Sequence, residues 1–139
     1  MTPSPSPTPL LDGLSILLLE DEVLIAMDVE QLCRDHGAGR VTTVRDVAGL
    51  DRHKAGTGFD AAIVDLVLGG ASTLDFARHL QSGKIPFVFA SGYSELGELE
   101  REFPGVALVS KPYSGTDLIE ALARACGRLP AQLLGDAIT

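Results

Sequence analysis

A chain of 139 residues has room for one domain with one sizeable core, so we expect no appended output domain. Its 19 acidic and 11 basic side chains give a net charge of -8, which opposes binding to nucleic-acid phosphates or to an anionic membrane surface. The two cysteines fit neither a zinc site nor a disulfide framework, and no apolar run approaches the roughly 20 residues of a membrane span. We therefore expect a cytoplasmic protein that does not bind DNA directly and does not enter a membrane.

Both ends of the chain are predicted to lie outside the folded domain. Proline stands at every second position from residue 3 to residue 9, and this pattern prevents hydrogen-bonded structure. We predict a disordered, proline-rich tail over residues 1–11, a folded domain over residues 12–130 and a C-terminal tail over residues 131–139.

Short apolar runs alternate with segments of helical spacing along the folded part. The runs predict strands at residues 14–19, 40–44, 59–65, 85–90 and 106–109. The helical segments are residues 23–36, 46–54, 72–80, 94–103 and 114–128. Residues 66–70, which end in Gly69 and Gly70, are predicted to form a flexible loop after the third strand, and Ser72 is the predicted cap of the third helix.

Strict alternation of strands and helices implies a parallel sheet with helices on both faces. For this length, we predict a flavodoxin-like (βα)5 three-layer sandwich with a five-stranded sheet of order 2-1-3-4-5. Strands one and three are then neighbours. The acids that follow strand one, Glu20 and Asp21, must converge with Asp65 at the end of strand three.

Three carboxylates in one crevice repel each other, and a bound divalent cation would relieve that repulsion. The available ligands are all oxygens, which favours Mg2+, or alternatively Mn2+, over zinc. Ser91 ends strand four and Lys111 ends strand five, so a hydroxyl and an ammonium group join the same rim. The set suits phosphoryl transfer onto Asp65 as nucleophile, with Lys111 neutralising charge and Ser91 capturing the new phosphate as a switch.

These residues, in this order and at strand ends, resemble a receiver domain of two-component response regulators over about residues 14–128. The matching marks are Glu20-Asp21, Asp65, Ser91 and Lys111-Pro112. The resemblance implies that Asp65 accepts phosphate from the phosphohistidine of a sensor histidine kinase. Such a protein is not an enzyme beyond catalysing its own phosphorylation and dephosphorylation.

The resemblance also implies how the site is built. Asp21, Asp65 and the Val67 carbonyl ligate the metal, and Glu20 acts directly or through water. The Lys111-Pro112 bond is expected to be cis, because proline is nearly the only residue that permits this isomer.

Residues 86–93, with the sequence PFVFASGY, are similar to the F-A-T-G-Y motif of the FAT GUY response regulators, with Ser91 in place of threonine. Two departures from the common receiver pattern stand out. Gly69 replaces a frequent proline, and Leu108 replaces the usual aromatic switch residue. Tyr93 is therefore the candidate aromatic switch.

Members of this subgroup are commonly stand-alone receivers paired with HWE or HisKA2 histidine kinases. The implied partner is such a kinase or a phosphotransfer protein. The surface formed by the fourth helix, fifth strand and fifth helix is available for a target or for a second copy in a homodimer. Switching a partner-binding surface and acting as a phosphate sink in a phosphorelay both remain open.

Other interpretations also remain. The chain can be a pseudo-receiver that binds partners without phosphorylation. It can also be an aspartyl phosphatase, although haloacid-dehalogenase-like phosphatases place an aspartate where Val67 stands here. Asp65 taken alone can be a helix cap, Ser91 a turn residue and Tyr93 an ordinary half-buried side chain. A flavodoxin is disfavoured because three carboxylates at the switch point repel the phosphate of its cofactor.

Overall fold

The computed structural model describes residues 9–46, 48–50, 58–91, 99, 101–110 and 115–128. We label the strands of the main sheet β1 (Ser15–Leu19), β2 (Arg40–Val44), β3 (Ala61–Asp65), β4 (Phe87–Ser91) and β5 (Leu108–Ser110). The helices are α1 (Val23–Asp35), α2 (Leu74–Ser82) and α3 (Gly115–Ala125). Residues 48–50, 99, 101 and 102 are helical as well, and the rest of the predicted second and fourth helices lies outside the described residues.

The five strands form one parallel sheet in the order β2-β1-β3-β4-β5, which confirms the predicted order. Leu19 at the end of β1 is in register with Val44 of β2 and Val64 of β3. Asp65 at the end of β3 is in register with Ala90 of β4. The residues that follow these strands therefore meet at one edge of the sheet, as the sequence pattern predicted.

Apolar strand residues alternate between the two faces of the sheet. Ile16 and Leu18 of β1 belong to a core cluster that α1 and α3 cover. Leu17 and Leu19 belong to a second cluster, on the face that α2 covers. A strand buried on both faces needs an apolar residue at nearly every position, which explains why the runs in the sequence are almost continuous.

The packed domain begins earlier than predicted. Leu11, at the end of the predicted tail, is fully buried in the first core cluster. Its N–H donates to the His36 carbonyl at the end of α1, and the Gly13 N–H donates to the Gly37 carbonyl. The spacing of the prolines hid this anchor, because it suggested a segment with little to bury.

All three labelled helices end in the same backbone motif, with a left-handed residue after the last turn. That residue is Gly37 after α1 and Gly127 after α3, with φ of 95° and 72°. After α2 it is Lys84, with φ of 57°, and the Ile85 N–H closes the motif on the Leu80 carbonyl at 2.9 Å. A side chain thus stands where glycine is usual, and the position carries backbone strain. No helix in the described ranges combines the length and apolarity that crossing a membrane requires.

Candidate metal centre at the carboxyl edge of the sheet

Three carboxylates meet where β1 and β3 end. Glu20 and Asp21 follow β1 directly, and Asp65 is the last residue of β3. One oxygen from each of the three side chains lies within 4.8 Å of the other two. The convergence predicted from strand order is therefore present.

The three acids differ in their exposure to solvent. Glu20 and Asp65 are buried, with 1% and 7% of their surface exposed, whereas Asp21 is exposed. Two unit charges 4.8 Å apart repel by about 3.5 kcal/mol at an effective dielectric near 20. Oxygen-only ligands with one open side suit a hard cation such as Mg2+ that keeps several waters. The donor set therefore fits the predicted metal.

Backbone N–H groups hold each carboxylate in place. Glu20 Oε2 accepts the N–H of Glu22 at 3.1 Å, at the start of α1. Asp65 Oδ1 accepts the Val67 N–H at 3.3 Å. Asp21 Oδ2 accepts the Gly69 N–H at 3.1 Å, although the two residues are 48 positions apart in the chain. The segment after β3 therefore contacts two of the three acids.

That segment is a two-stranded hairpin and not the flexible loop predicted. Val67 pairs with Ser72 and Leu68 pairs with Ala71 in antiparallel register. Gly69 and Gly70 form the turn with φ of 58° and 83°, the left-handed pair required by the tightest β-hairpin turn. The two glycines signalled a turn, but the flanking strands are too short for a period-two pattern to appear in the sequence.

Thr73 closes the base of this hairpin. Its Oγ1 donates to the Asp65 carbonyl at 2.5 Å, and its N–H donates to the Leu66 carbonyl at 3.1 Å. Thr73 is also the residue that precedes α2, so the prediction that Ser72 caps this helix was displaced by one position. The Ser72 hydroxyl still accepts the Leu74 N–H at 3.2 Å.

Two comparisons find similar proteins, whereas no protein-family model matches the chain. The response regulator receiver protein from Sinorhizobium medicae superposes with a TM-score of 0.74 at 26% identity, covering 86% of this chain and 99% of that one. This chain folds as a response-regulator receiver domain. Its flavodoxin-like sheet and the acidic edge are thus those of the receiver to which the sequence motifs pointed.

Two further solved structures match this receiver. One is the receiver domain of the sensor histidine kinase PA1611 from Pseudomonas aeruginosa, which has a magnesium ion coordinated in its active-site cleft. It is 25% identical with a TM-score of 0.68, and the match covers 83% of this chain and 98% of that one. The other is the response regulator PhyR from Brucella abortus, at 25% identity and a TM-score of 0.67, covering 85% of this chain and 50% of that one.

A curated relative of the receiver is the transcriptional regulatory protein PdtaR of Mycobacterium tuberculosis, in strains CDC 1551 and H37Rv. The identity is 32% over 120 residues, and the match covers 81% of this chain. The same match covers 57% of PdtaR, so the receiver spans little more than half the length of the curated relatives that it matches.

The remaining predicted site residues are only partly described. Val67 donates its N–H to Asp65, and the role predicted for its carbonyl as a metal ligand stays a prediction. Ser91 ends β4 with its backbone in register with Ser110, and its side chain is outside the described part. Tyr93, Lys111 and Pro112 are outside it altogether. Their predicted roles, and the predicted cis bond before Pro112, stay predictions.

Proposed function

We propose that this receiver accepts a phosphoryl group onto Asp65 in a Mg2+-dependent reaction. The donor is the phosphohistidine of a sensor histidine kinase or of a phosphotransfer protein. The observation that carries the proposal is the gathering of three carboxylate oxygens within 4.8 Å at the carboxyl edge of the sheet. Like charges in such a cluster repel one another and attract a cation, and the cluster surrounds a carboxylate at a strand end that can act as a nucleophile.

In the proposed reaction, a carboxylate oxygen of Asp65 attacks the phosphorus of the donor. The new P–O bond forms while the P–N bond of phosphohistidine breaks, and the leaving ring nitrogen takes up a proton from solvent. Glu20, Asp21, Asp65 and the Val67 carbonyl are the groups that would hold Mg2+, which neutralises charge on the phosphoryl oxygens when bound. Lys111 and Ser91 are assigned to charge neutralisation and phosphate capture because the sequence pattern puts them at the ends of the predicted fifth and fourth strands.

The donor protein needs a docking surface beside the acids, and the start of α1 supplies one. Leu24 and Met27 expose 77% and 59% of their surface, and Val23 exposes 45%. Val67, two residues after Asp65, exposes 43% of its surface. Large apolar side chains at this exposure favour contact with a partner protein. Their position, directly after Glu20 and Asp21, favours a partner that delivers its phosphoryl group into the acidic crevice.

We assign the receiver to the FAT GUY subgroup on residues 86–93 and on the turn glycines. Gly69 has a φ of 58°, which proline cannot adopt. Glycine in place of the common proline is therefore consistent with the hairpin turn that this chain forms. The assignment favours an HWE or HisKA2 kinase as donor and Tyr93 as the switch. It is compatible with a partner-binding switch and with a phosphate sink.

Incubation with acetyl phosphate tests the acceptor and the metal together. With MgCl2, we expect the chain to gain the mass of one phosphoryl group, and we expect EDTA to abolish the gain. Asp65→Asn should block it. Asp60→Asn should not, because Asp60 lies before β3 and accepts the Ser15 N–H outside the cluster. Labelling that persists in Asp65→Asn would identify a different acceptor. Cation binding without labelling would instead favour a pseudo-receiver.

A further inference from the structure

Within the described part of the chain, three polar or charged side chains are buried, and two of them are the site acids Glu20 and Asp65. The third is Thr73, which exposes 1% of its surface. It contributes no ligand to the acidic cluster, and the phosphoryl-transfer chemistry assigns it no role. Buried polar side chains are nearly always hydrogen-bonded, so the partner of the Thr73 hydroxyl indicates what this residue does.

That partner is the backbone of the acceptor residue. Thr73 Oγ1 donates to the Asp65 carbonyl, and the Thr73 N–H donates to the carbonyl of the next residue, Leu66. The two bonds join the ends of the segment from Asp65 to Thr73 into a closed ring. The same threonine accepts the Ala77 N–H through its carbonyl, so the ring is also fixed to the first turn of α2.

Two of the three N–H groups that bind the site acids belong to this ring. The Val67 N–H reaches Asp65 Oδ1 and the Gly69 N–H reaches Asp21 Oδ2. Leu68 lies between Val67 and Gly69 in the chain and is fully buried in the second core cluster, so it anchors the hairpin to the core. The positions of two mutually repelling carboxylates, Asp21 and Asp65, therefore depend on the ring. We call the hydrogen bond from Thr73 Oγ1 to the Asp65 carbonyl, which closes this ring, the Thr73 clasp.

We propose that Thr73 is a positioning residue that sets the affinity of the site for its divalent cation. With the clasp closed, Asp21 and Asp65 are held close together before a cation arrives, and binding then requires little further ordering. Without the clasp, repulsion spreads the acids, and the cation must reassemble them. This inference rests on the proposed metal-dependent function, and it goes beyond it by placing control of the metal in a residue that is not a ligand.

Thr73→Val tests the clasp, because it removes the hydroxyl and keeps the shape of the side chain. We expect the dissociation constant for Mn2+, measured by the EPR signal of free Mn2+, to rise about fivefold, the factor that corresponds to one neutral hydrogen bond. Labelling by acetyl phosphate should fall at low Mg2+ and recover to within about twofold at saturating Mg2+. Thr73→Ser keeps the donor and should restore the wild-type Mg2+ dependence.

Thr43→Val is the matched control. Thr43 also donates a short side-chain hydrogen bond, to Glu30 Oε2, on the edge strand β2. Both valine variants should lose some stability in urea, but only Thr73→Val should change the dependence on Mn2+ and Mg2+. Equal cation affinity in the two variants would overturn the role of Thr73.

A second pair of variants tests the ring without changing a buried residue, in case Thr73→Val does not fold. Gly69 is exposed, and a β-branched residue does not tolerate its left-handed conformation. Gly69→Val should therefore withdraw the N–H from Asp21 and weaken Mn2+ binding, whereas Gly69→Asn tolerates the turn and should not. Equal Mn2+ affinity in these two variants would contradict the inference.

Failure of the proposed function gives a different result from failure of the inference about Thr73. If the wild type neither binds Mn2+ nor accepts phosphate, the proposed function fails. If the wild type is labelled and Thr73→Val has the same Mn2+ affinity and the same Mg2+ dependence, only the inference about Thr73 fails.

Discussion

Neutralising Asp21 should stabilise the fold when no cation is present. Asp21 lies within 4.8 Å of Glu20 and Asp65, and Asp21→Asn removes the charge while leaving an oxygen that accepts the Gly69 N–H. Because Asp21 is exposed, solvent screens it strongly, and each repulsion is nearer to about 0.9 kcal/mol than to the buried value. The repulsion between Asp21 and Asp65 disappears on unfolding and therefore destabilises the folded state in full. The repulsion between Asp21 and Glu20, which are neighbours in the chain, partly persists in the unfolded state and counts only in part.

The variant should therefore gain about 1–1.5 kcal/mol in free energy of unfolding in EDTA, or about 3–5 °C in Tm. Mg2+ should reverse the order. A cation that binds only the folded state stabilises it by about 2.7 kcal/mol at one hundred times its dissociation constant, which exceeds the advantage of the variant. The wild type receives this full gain, and the variant, whose amide oxygen is an uncharged and weaker ligand, receives less of it.

Urea unfolding followed by circular dichroism is a suitable assay, because the chain contains no tryptophan for fluorescence. Asp28→Asn on α1 is the matched control, since Asp28 is an exposed aspartate outside the acidic cluster. It should change stability little, with or without Mg2+. An Asp21→Asn variant less stable than the wild type in EDTA would refute the reasoning, because it would mean that Asp21 is paired with a cationic group and not repelled by its neighbours.

Three further predictions concern other parts of the molecule. Lys84→Gly should raise the free energy of unfolding by about 1 kcal/mol in urea titrations, because glycine adopts φ of 57° without strain, whereas Lys84→Ala keeps the Cβ and should give no gain. Leu24→Glu should reduce phosphotransfer from a cognate kinase by about tenfold or more but leave labelling by acetyl phosphate unchanged, since a small donor needs no docking surface; equal loss with both donors would place the defect in the site. Arg78→Gln should raise the pKa of Glu102, followed by NMR titration, because the hydrogen bond from the Arg78 guanidinium holds it below its ordinary value.

The direction of the Glu102 pKa shift determines the pH range in which the Arg78–Glu102 pair stabilises the fold. A carboxyl whose pKa is lowered by folding stabilises the fold above its unfolded pKa, and this contribution disappears as the pH falls through the folded pKa. Stability lost in Arg78→Gln should therefore be visible at neutral pH and vanish in acid. Arg101→Gln, on the same segment as Glu102, is the control and should leave the Glu102 titration unchanged. A Glu102 pKa that does not move in Arg78→Gln would show that the pair does not persist in solution.

The fold was predictable because its signals are local and repeated. Each apolar run marks a strand that is buried on both faces, and alternation with helices leaves few topologies for a chain of this length. The acidic site followed from the same reasoning, since strand order alone forces Glu20, Asp21 and Asp65 to one edge. Leu11 was missed because its burial depends on contacts with the end of α1, which no local pattern records.

Thr73 and the hairpin were missed for a related reason. The hydroxyl of Thr73 is important because of a carbonyl eight residues earlier, and the two groups meet only if the hairpin forms between them. In the sequence, Gly69 and Gly70 signal conformational freedom, whereas in the fold they supply two specific left-handed conformations.

The departure from the common receiver pattern at Gly69 thus has a structural reason that links it to the acidic cluster. Proline at this position would need a negative φ, and it would also remove the N–H that holds Asp21. A receiver with proline here must orient the corresponding acid in another way, whereas this chain orients it through the hairpin turn and the Thr73 clasp. The identity of one exposed turn residue and the geometry of the acidic cluster are therefore coupled, and a substitution at Gly69 should be judged by its effect on cation binding as well as on stability.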